Sequence, residues 1–215
     1  MRQPKQQRAV QTREAILRAA AAVFDELGYS GASINRILER AGTTAGALYF
    51  HFKSKEGLAH AVMLAQPETV VPASDSHGLQ RAVDITLIWA QQLQEDLMLR
   101  AGVRLTTEQT TFGMEDAAKP YQQWAEIMEA HLREAAGNGE LQAGVEPREL
   151  AEYIVESCTG MQLYSKAVSG REDLMDRVLR MWRLLLPGIA VPAVAVRTRL
   201  DPDRVQPVPA AAAAP

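Results

Sequence analysis

The sequence predicts an all-α protein built as a small N-terminal three-helix domain containing a helix-turn-helix, followed by a larger helical C-terminal domain. Three observations carry that prediction. Apolar residues recur at steps of three and four through most of the chain, and no segment alternates long enough to form a strand. The prolines also avoid the interiors of the periodic segments. Of eleven, five fall at Pro192 or later, and Pro120, Pro147 and Pro187 sit where a helix can start or stop.

Ile16, Ala20, Val23 and Leu27, widened by Ala19 and Phe24, form the apolar stripe of a first helix over about 7–27, with Gly28 as its natural stop. Ser33 is placed to cap a second helix that turns Ile34, Ile37, Leu38 and Ala41 inward and ends at Gly42. A third, capped by Thr43 or Thr44, runs through Leu48 and Tyr49. Ser54 caps a fourth, with Glu56 in its first turn and Leu58, Val62 and Met63 inward, which stops before Pro67. Residues 67–76 read as a loop and a domain boundary. Beyond it, helices are predicted over 79–99, 117–136, 147–168 and 171–186, punctuated by Gly113, by Gly137-Asn138-Gly139 and by Gly170. The expected domains are therefore 1–66, with the helix-turn-helix at about 33–52, and 77–190. Residues 191–215, with five prolines and an alanine run, are expected to form a flexible tail.

Composition excludes several classes. The 215 residues are 47% hydrophobic and 23% charged, unlike a wholly disordered or fibrous chain. No apolar run reaches the ~18 residues of a bilayer span, because Pro187, Gly188 and Pro192 interrupt the 184–196 stretch. No membrane partner is expected, and no secretory leader, since residues 1–8 are polar and Arg18 interrupts 15–24. The single cysteine, Cys158, cannot pair within the chain, which fits a reducing, cytoplasmic location. Four histidines lack zinc-ligand spacing, and there is no Gly-x-Ser-x-Gly, phosphate loop or dinucleotide fingerprint. The sequence thus predicts no metal, no cofactor and no catalytic residue; the protein is not expected to be an enzyme.

Charge is divided along the chain. Residues 1–60 carry nine Lys/Arg against five Asp/Glu, a local +4, whereas the remainder carries 14 against 21, a local −7. A basic segment on an acidic protein directs one face towards polyanions. That segment holds the Ala41-Gly42-Thr43 turn between two short helices, the spacing of a helix-turn-helix whose second helix enters the DNA major groove. Small residues at Thr43-Thr44-Ala45-Gly46-Ala47 let the backbone approach base edges, hydroxyls can exchange hydrogen bonds, and alanine can meet a thymine methyl. By helix pattern alone an ordinary helical hairpin fits equally well.

The motif residues go further. Thr12-Arg13-Glu14-Ala15-Ile16-Leu17, Ser33-Ile34-Asn35-Arg36-Ile37 and the run from Ala41 through Gly46-Ala47-Leu48-Tyr49-Phe50-His51-Phe52-Lys53-Ser54-Lys55-Glu56 resemble the DNA-binding domain of TetR-family repressors. The resemblance implies that Thr43, Thr44, Ala45, Gly46 and Ala47 approach the groove of double-stranded operator DNA, while Tyr49, His51 and Lys55 hold phosphates. Two departures stand out: Thr43 occupies a position usually apolar in the family, and Ala45 one where lysine is common. Lys5 and Arg8 in the basic N-terminal arm are expected to compensate for the missing cation.

Further along, 99–106 (Leu-Arg-Ala-Gly-Val-Arg-Leu-Thr) and 120–124 (Pro-Tyr-Gln-Gln-Trp) resemble the γ-butyrolactone receptor branch of that family. This implies a repressor released from a pseudo-palindromic operator by a small apolar effector such as a γ-butyrolactone, with Trp124, Thr106, Gln122 and Met161 as ligand-binding candidates and Met98, Met114 and Met128 as adaptable lining. The alternatives are a multidrug sensor of the same family or a regulator with no natural ligand. The helices at 147–168 and 171–186 carry Leu150, Ile154, Met161, Val168, Leu174, Val178 and Leu185. Periodicity alone fits a monomer core or a four-helix bundle with a second copy; the resemblance implies the homodimer, making this the ligand-binding and dimerisation domain.

Overall fold

A computed structural model describes residues 5–70, 75–112 and 118–205. Met114 and residues 206–215 lie outside the described residues, as does the side chain of Lys5. Apart from one isolated bridge between Leu141 and Ala190, the described regular structure is helical. The chain forms two compact units. One comprises the residues up to Thr69 together with Glu95–Pro120; the other comprises Val70–Gln94 and the chain from Tyr121.

In the first unit, α1 (Lys5–Gly31) runs through the expected stripe and is kinked at Gly28, where φ is 68° and ψ −179°. The regular helix is thus broken at Gly28, the expected stop, and the few residues to Gly31 continue beyond the kink. α2 (Ile34–Ala41) is capped by Ser33, whose side chain accepts the Arg36 N–H, and ends at Gly42 in the left-handed region. α3 (Ala45–Phe52) and α4 (Lys55–Leu64) are capped in the same way by Thr44 and Ser54. A short α5 (Gln66–Thr69) follows. Ile16, Val23, Phe24, Ile37, Leu48, Phe52, Leu58 and Val62 build the core.

α6 (Gly78–Glu95) and α7 (Leu97–Phe112) divide what periodicity alone reads as one helix over 79–99. The reason is Asp96, whose carboxylate accepts the Leu99 N–H at 2.7 Å and so starts a new helix. α7 packs in the first unit against α1 and α4, with Ala101 and Leu105 in the shared core. Four charged side chains clamp it there. Arg100 Nε donates to the Asp25 carboxylate (3.1 Å), Arg104 donates to the Asp25 carbonyl (2.5 Å) and to Glu108 (2.7 Å), and Glu108 accepts the Tyr29 N–H (3.1 Å). The last bond satisfies a donor freed by the kink.

The second unit contains α6, α8 (Lys119–Gly137), α9 (Pro147–Ser169) and α10 (Leu174–Ile189). α6 is buried on nearly every side, and its Thr86 hydroxyl accepts the indole N–H of fully buried Trp182 at 2.7 Å. Leu150, Ala151, Ile154 and Cys158 form the buried stripe of α9. Burial pushes the Cys158 thiol up to about 12. Asp173, at the α9–α10 corner, accepts from Ser165, Ser169 and Arg177, and its carboxyl is held well below the usual range, chiefly by the Arg177 guanidinium.

The segment read as a flexible tail is in part built into this unit. α11 (Pro192–Arg197) buries Val194, Gln80 exchanges two hydrogen bonds with the Arg199 backbone, and Arg204 lies 3.5 Å from the fully buried Asp84 carboxylate. Composition marks the prolines but not these partners, all of them over a hundred residues away. No helix among the described residues is long and apolar enough to cross a membrane.

Candidate nucleic-acid interface

The turn between α2 and α3 is made by two backbone bonds: Gly42 N–H to the Glu39 carbonyl and Thr43 N–H to the Leu38 carbonyl. Thr43 therefore belongs to the turn, half-buried, and α3 begins at Ala45. The Thr44 hydroxyl is engaged as cap, accepting the Ala47 N–H. Leu48 and Phe52 anchor α3 in the core, which leaves Ala45, Gly46, Tyr49 and Phe50 exposed and Ala47 half-buried. The structure thus brings the groove candidates 43–47 together at the start of one short helix with Tyr49 one turn on.

His51 is half-buried, its ring edge-on to Phe50 at 5.0 Å. Lys55 starts α4 with its ammonium 4.4 Å from the centroid of the Tyr29 ring, and partial burial lowers its pKa. Arg8 is exposed on the first turns of α1. Lys5 lies in the same helix, with its side chain outside the described residues.

Two residues that sequence reasoning passes over sit beside these. Phe50 is 77% exposed, the ring pointing away from the core; its signal was its place on the helical wheel, opposite Leu48 and Phe52. Lys53 adopts φ 67° and ψ −41°, and the Phe52 carbonyl accepts the Ser54 N–H at 2.7 Å. That is a γ-turn of the rarer, strained hand, which swings the chain from α3 into α4. Gly57 makes the sharp return possible, because a Cβ there would collide with the Phe52 carbonyl oxygen.

Three of the four effector candidates, Gln122, Trp124 and Met161, belong to the second unit. Thr106 belongs to the first unit, buried, donating its hydroxyl proton to the Gly102 carbonyl (2.8 Å) and accepting from Gln66 (3.0 Å). Trp124 is half-buried and Gln122 exposed on α8. Met161 faces outward, lining a 640 Å³ groove with Tyr153, Met181, Leu184 and Leu185. Along α9, Leu150 and Ile154 are buried, Met161 is half-buried, and Tyr153, Tyr164 and Val168 are exposed. Among the described residues no cluster of His, Cys, Asp or Glu is arranged to hold a metal ion.

Known proteins share this arrangement. Residues 16–62 match the family of bacterial regulatory proteins, tetR family, and residues 76–192 match the tetracyclin repressor-like C-terminal domain. The chain is 44% identical over 190 residues to the A-factor receptor protein of Streptomyces griseus, covering 88% of this chain and 68% of that protein. Among solved structures, TylP, a TetR regulator from Streptomyces fradiae, superposes with a TM-score of 0.84 at 43% identity, covering 92% of this chain and 95% of TylP. A gamma-butyrolactone receptor (ArpA like protein) follows with TM-score 0.70 at 29% identity, covering 92% and 98%. CprB of Streptomyces coelicolor, solved with its operator sequence, also gives 0.70 at 29%, covering 94% and 100%. With both halves of the chain matched, this protein belongs to the TetR family: it is a DNA-binding transcriptional regulator close to the γ-butyrolactone receptors, and not an enzyme.

Proposed function

We propose that the protein is a cytoplasmic, homodimeric repressor that holds a pseudo-palindromic operator and leaves it when a small apolar effector of the γ-butyrolactone class binds. The observation that carries this reading is the 44% identity to the A-factor receptor across 88% of the chain, which runs through both domains. Residues 1–66 form the DNA-binding domain in this reading, with 43–47 in the groove and Tyr49, His51, Lys55, Lys5 and Arg8 on phosphates. Residues 77–190 bind effector and partner.

The exposed Tyr153, Tyr164 and Val168 of α9, and the largely apolar groove that Tyr153 shares with Leu184 of α10, support a second copy as the partner, since such surface is costly to leave in water. A two-fold dimer sets two reading helices about one DNA turn, ~34–36 Å, or a multiple apart. Effector acts only through differential affinity for the two spacings, so it must favour one that no longer fits successive grooves. Helix α4 is the proposed lever. Of the proposed effector contacts, Trp124 is half-buried on α8, Gln122 is exposed there, the Thr106 hydroxyl is hydrogen-bonded within the fold and Met161 lines the groove.

The test is a gel shift with DNA from upstream of the protein's own coding region, repeated across a lactone panel with Trp124→Ala as control. Release by a lactone in the wild type, and weaker release in the variant, is expected. Retention of DNA at saturating concentrations of every lactone contradicts the effector assignment.

A further inference from the structure

The outward face of α3 carries no group suited to reading bases through paired hydrogen bonds. Its sequence, AGALYFHF, contains no Arg, Lys, Asn, Gln, Asp or Glu, and the hydroxyl that precedes it, on Thr44, is engaged as the helix cap. Those are the side chains that bind a base edge bidentately or accept from cytosine; apolar side chains recognise instead the 5-methyl group of thymine. The residue directly opposite the buried Leu48–Phe52 stripe is Phe50, with 77% of its surface in water.

Gly46 lies one turn before Phe50 on the same face. Its backbone does not require glycine: φ is not positive, and an added Cβ would meet nothing nearer than the Thr44 oxygen at 3.9 Å. Alanine would favour the helix more, so the fold gains nothing from the missing side chain. What its absence provides, with Ala45 beside it, is a flat strip one turn before Phe50 on the same face.

We infer that Phe50 is a specificity-determining residue that reads thymine methyl groups in the major groove, with Gly46 and Ala45 admitting the base pair closely enough for contact. This rests on the DNA-binding reading and adds to it the kind of base that is read. An aromatic ring has no donor for a phosphate, so the backbone is not its partner; its complement in the groove is a methyl group. Preference within each half-site then follows the positions of thymines, and exocyclic hydrogen-bonding groups contribute little at the position facing Phe50.

The experiment first selects a half-site from a random duplex library with the full-length protein. Binding is then followed by fluorescence anisotropy on duplexes in which each thymine is replaced singly by deoxyuridine. The replacement removes one methyl and leaves the base pair intact. The wild type is expected to lose about fourfold in affinity for each contacted methyl removed, at one or two positions per half-site. Phe50→Ala, an exposed position whose truncation leaves the core untouched, is expected to bind the thymine duplex more weakly and to ignore the substitution at those positions. Wild-type binding indifferent to every thymine-to-uracil change overturns the inference, as does full discrimination by Phe50→Ala. If neither protein selects or binds any duplex, the DNA-binding reading falls as well.

Discussion

Glu108 accepts the Tyr29 N–H at 3.1 Å and places the same carboxylate oxygen 2.6 Å from where a side chain on Gly28 would begin. The kink of α1 and the seat of α7 are thus one feature, since the bend exposes the N–H that the α7 carboxylate accepts. Gly28→Ala meets both a positive φ and this carboxylate, and is expected to destabilise the fold by about 1–3 kcal/mol. Urea unfolding checks this; an unchanged midpoint shows that α7 does not depend on the kink.

The indole of Trp182 offers a second probe. Thr86→Val keeps the shape of the side chain but leaves the buried Nε1–H without its acceptor, at an expected cost of about 1–3 kcal/mol. Denaturant unfolding of the C-terminal unit measures the loss. Stability equal to wild type would mean that the bond is replaced without penalty.

Asp173 gives the pH dependence. Arg177, Ser165 and Ser169 hold its folded pKa below the unfolded value of about 4. A depressed carboxylate contributes stability above its unfolded pKa, and the contribution disappears as pH falls through the folded value. Wild type is therefore expected to melt above Asp173→Asn at pH 7, with the gap narrowing from pH 4 downward. Melting curves across that range decide it, and a gap constant with pH removes the carboxylate as its source.

Leu184, 77% exposed on α10, lies in the groove assigned to the second copy. Leu184→Glu places a charge there without touching the core. It is expected to sediment as a monomer with unchanged helix content and to bind operator at least tenfold more weakly, since one reading head is lost from each complex. A dimer that persists moves the self-association surface elsewhere.

Much of the fold was legible because its signals are local. Ser33, Thr44 and Ser54 cap where hydroxyls precede apolar periodicity, and Gly42 supplies the left-handed stop. What escaped depends on partners distant in sequence. Leu93 and Leu97 keep the helical rhythm across Asp96, so only the carboxylate's bond to Leu99 reveals the break. Arg199 and Arg204 look like tail residues until Gln80 and Asp84 are placed beside them. At the interface, Phe50 hides inside a motif whose neighbours are easier to recognise. Met161 and Ile154 lie seven residues apart on the same face of α9, yet Ile154 is buried and Met161 half-buried, a difference that periodicity does not carry.

The protein's lone thiol has a practical corollary. Cys158 is buried and ionises only at about 12, so at neutral pH almost none of it exists as the reactive thiolate. Maleimide probes attached to an engineered surface cysteine will report from that position alone, with the native residue left in place. Spin or dye pairs for measuring how far apart two DNA-reading heads stand can therefore be introduced in the otherwise unaltered chain.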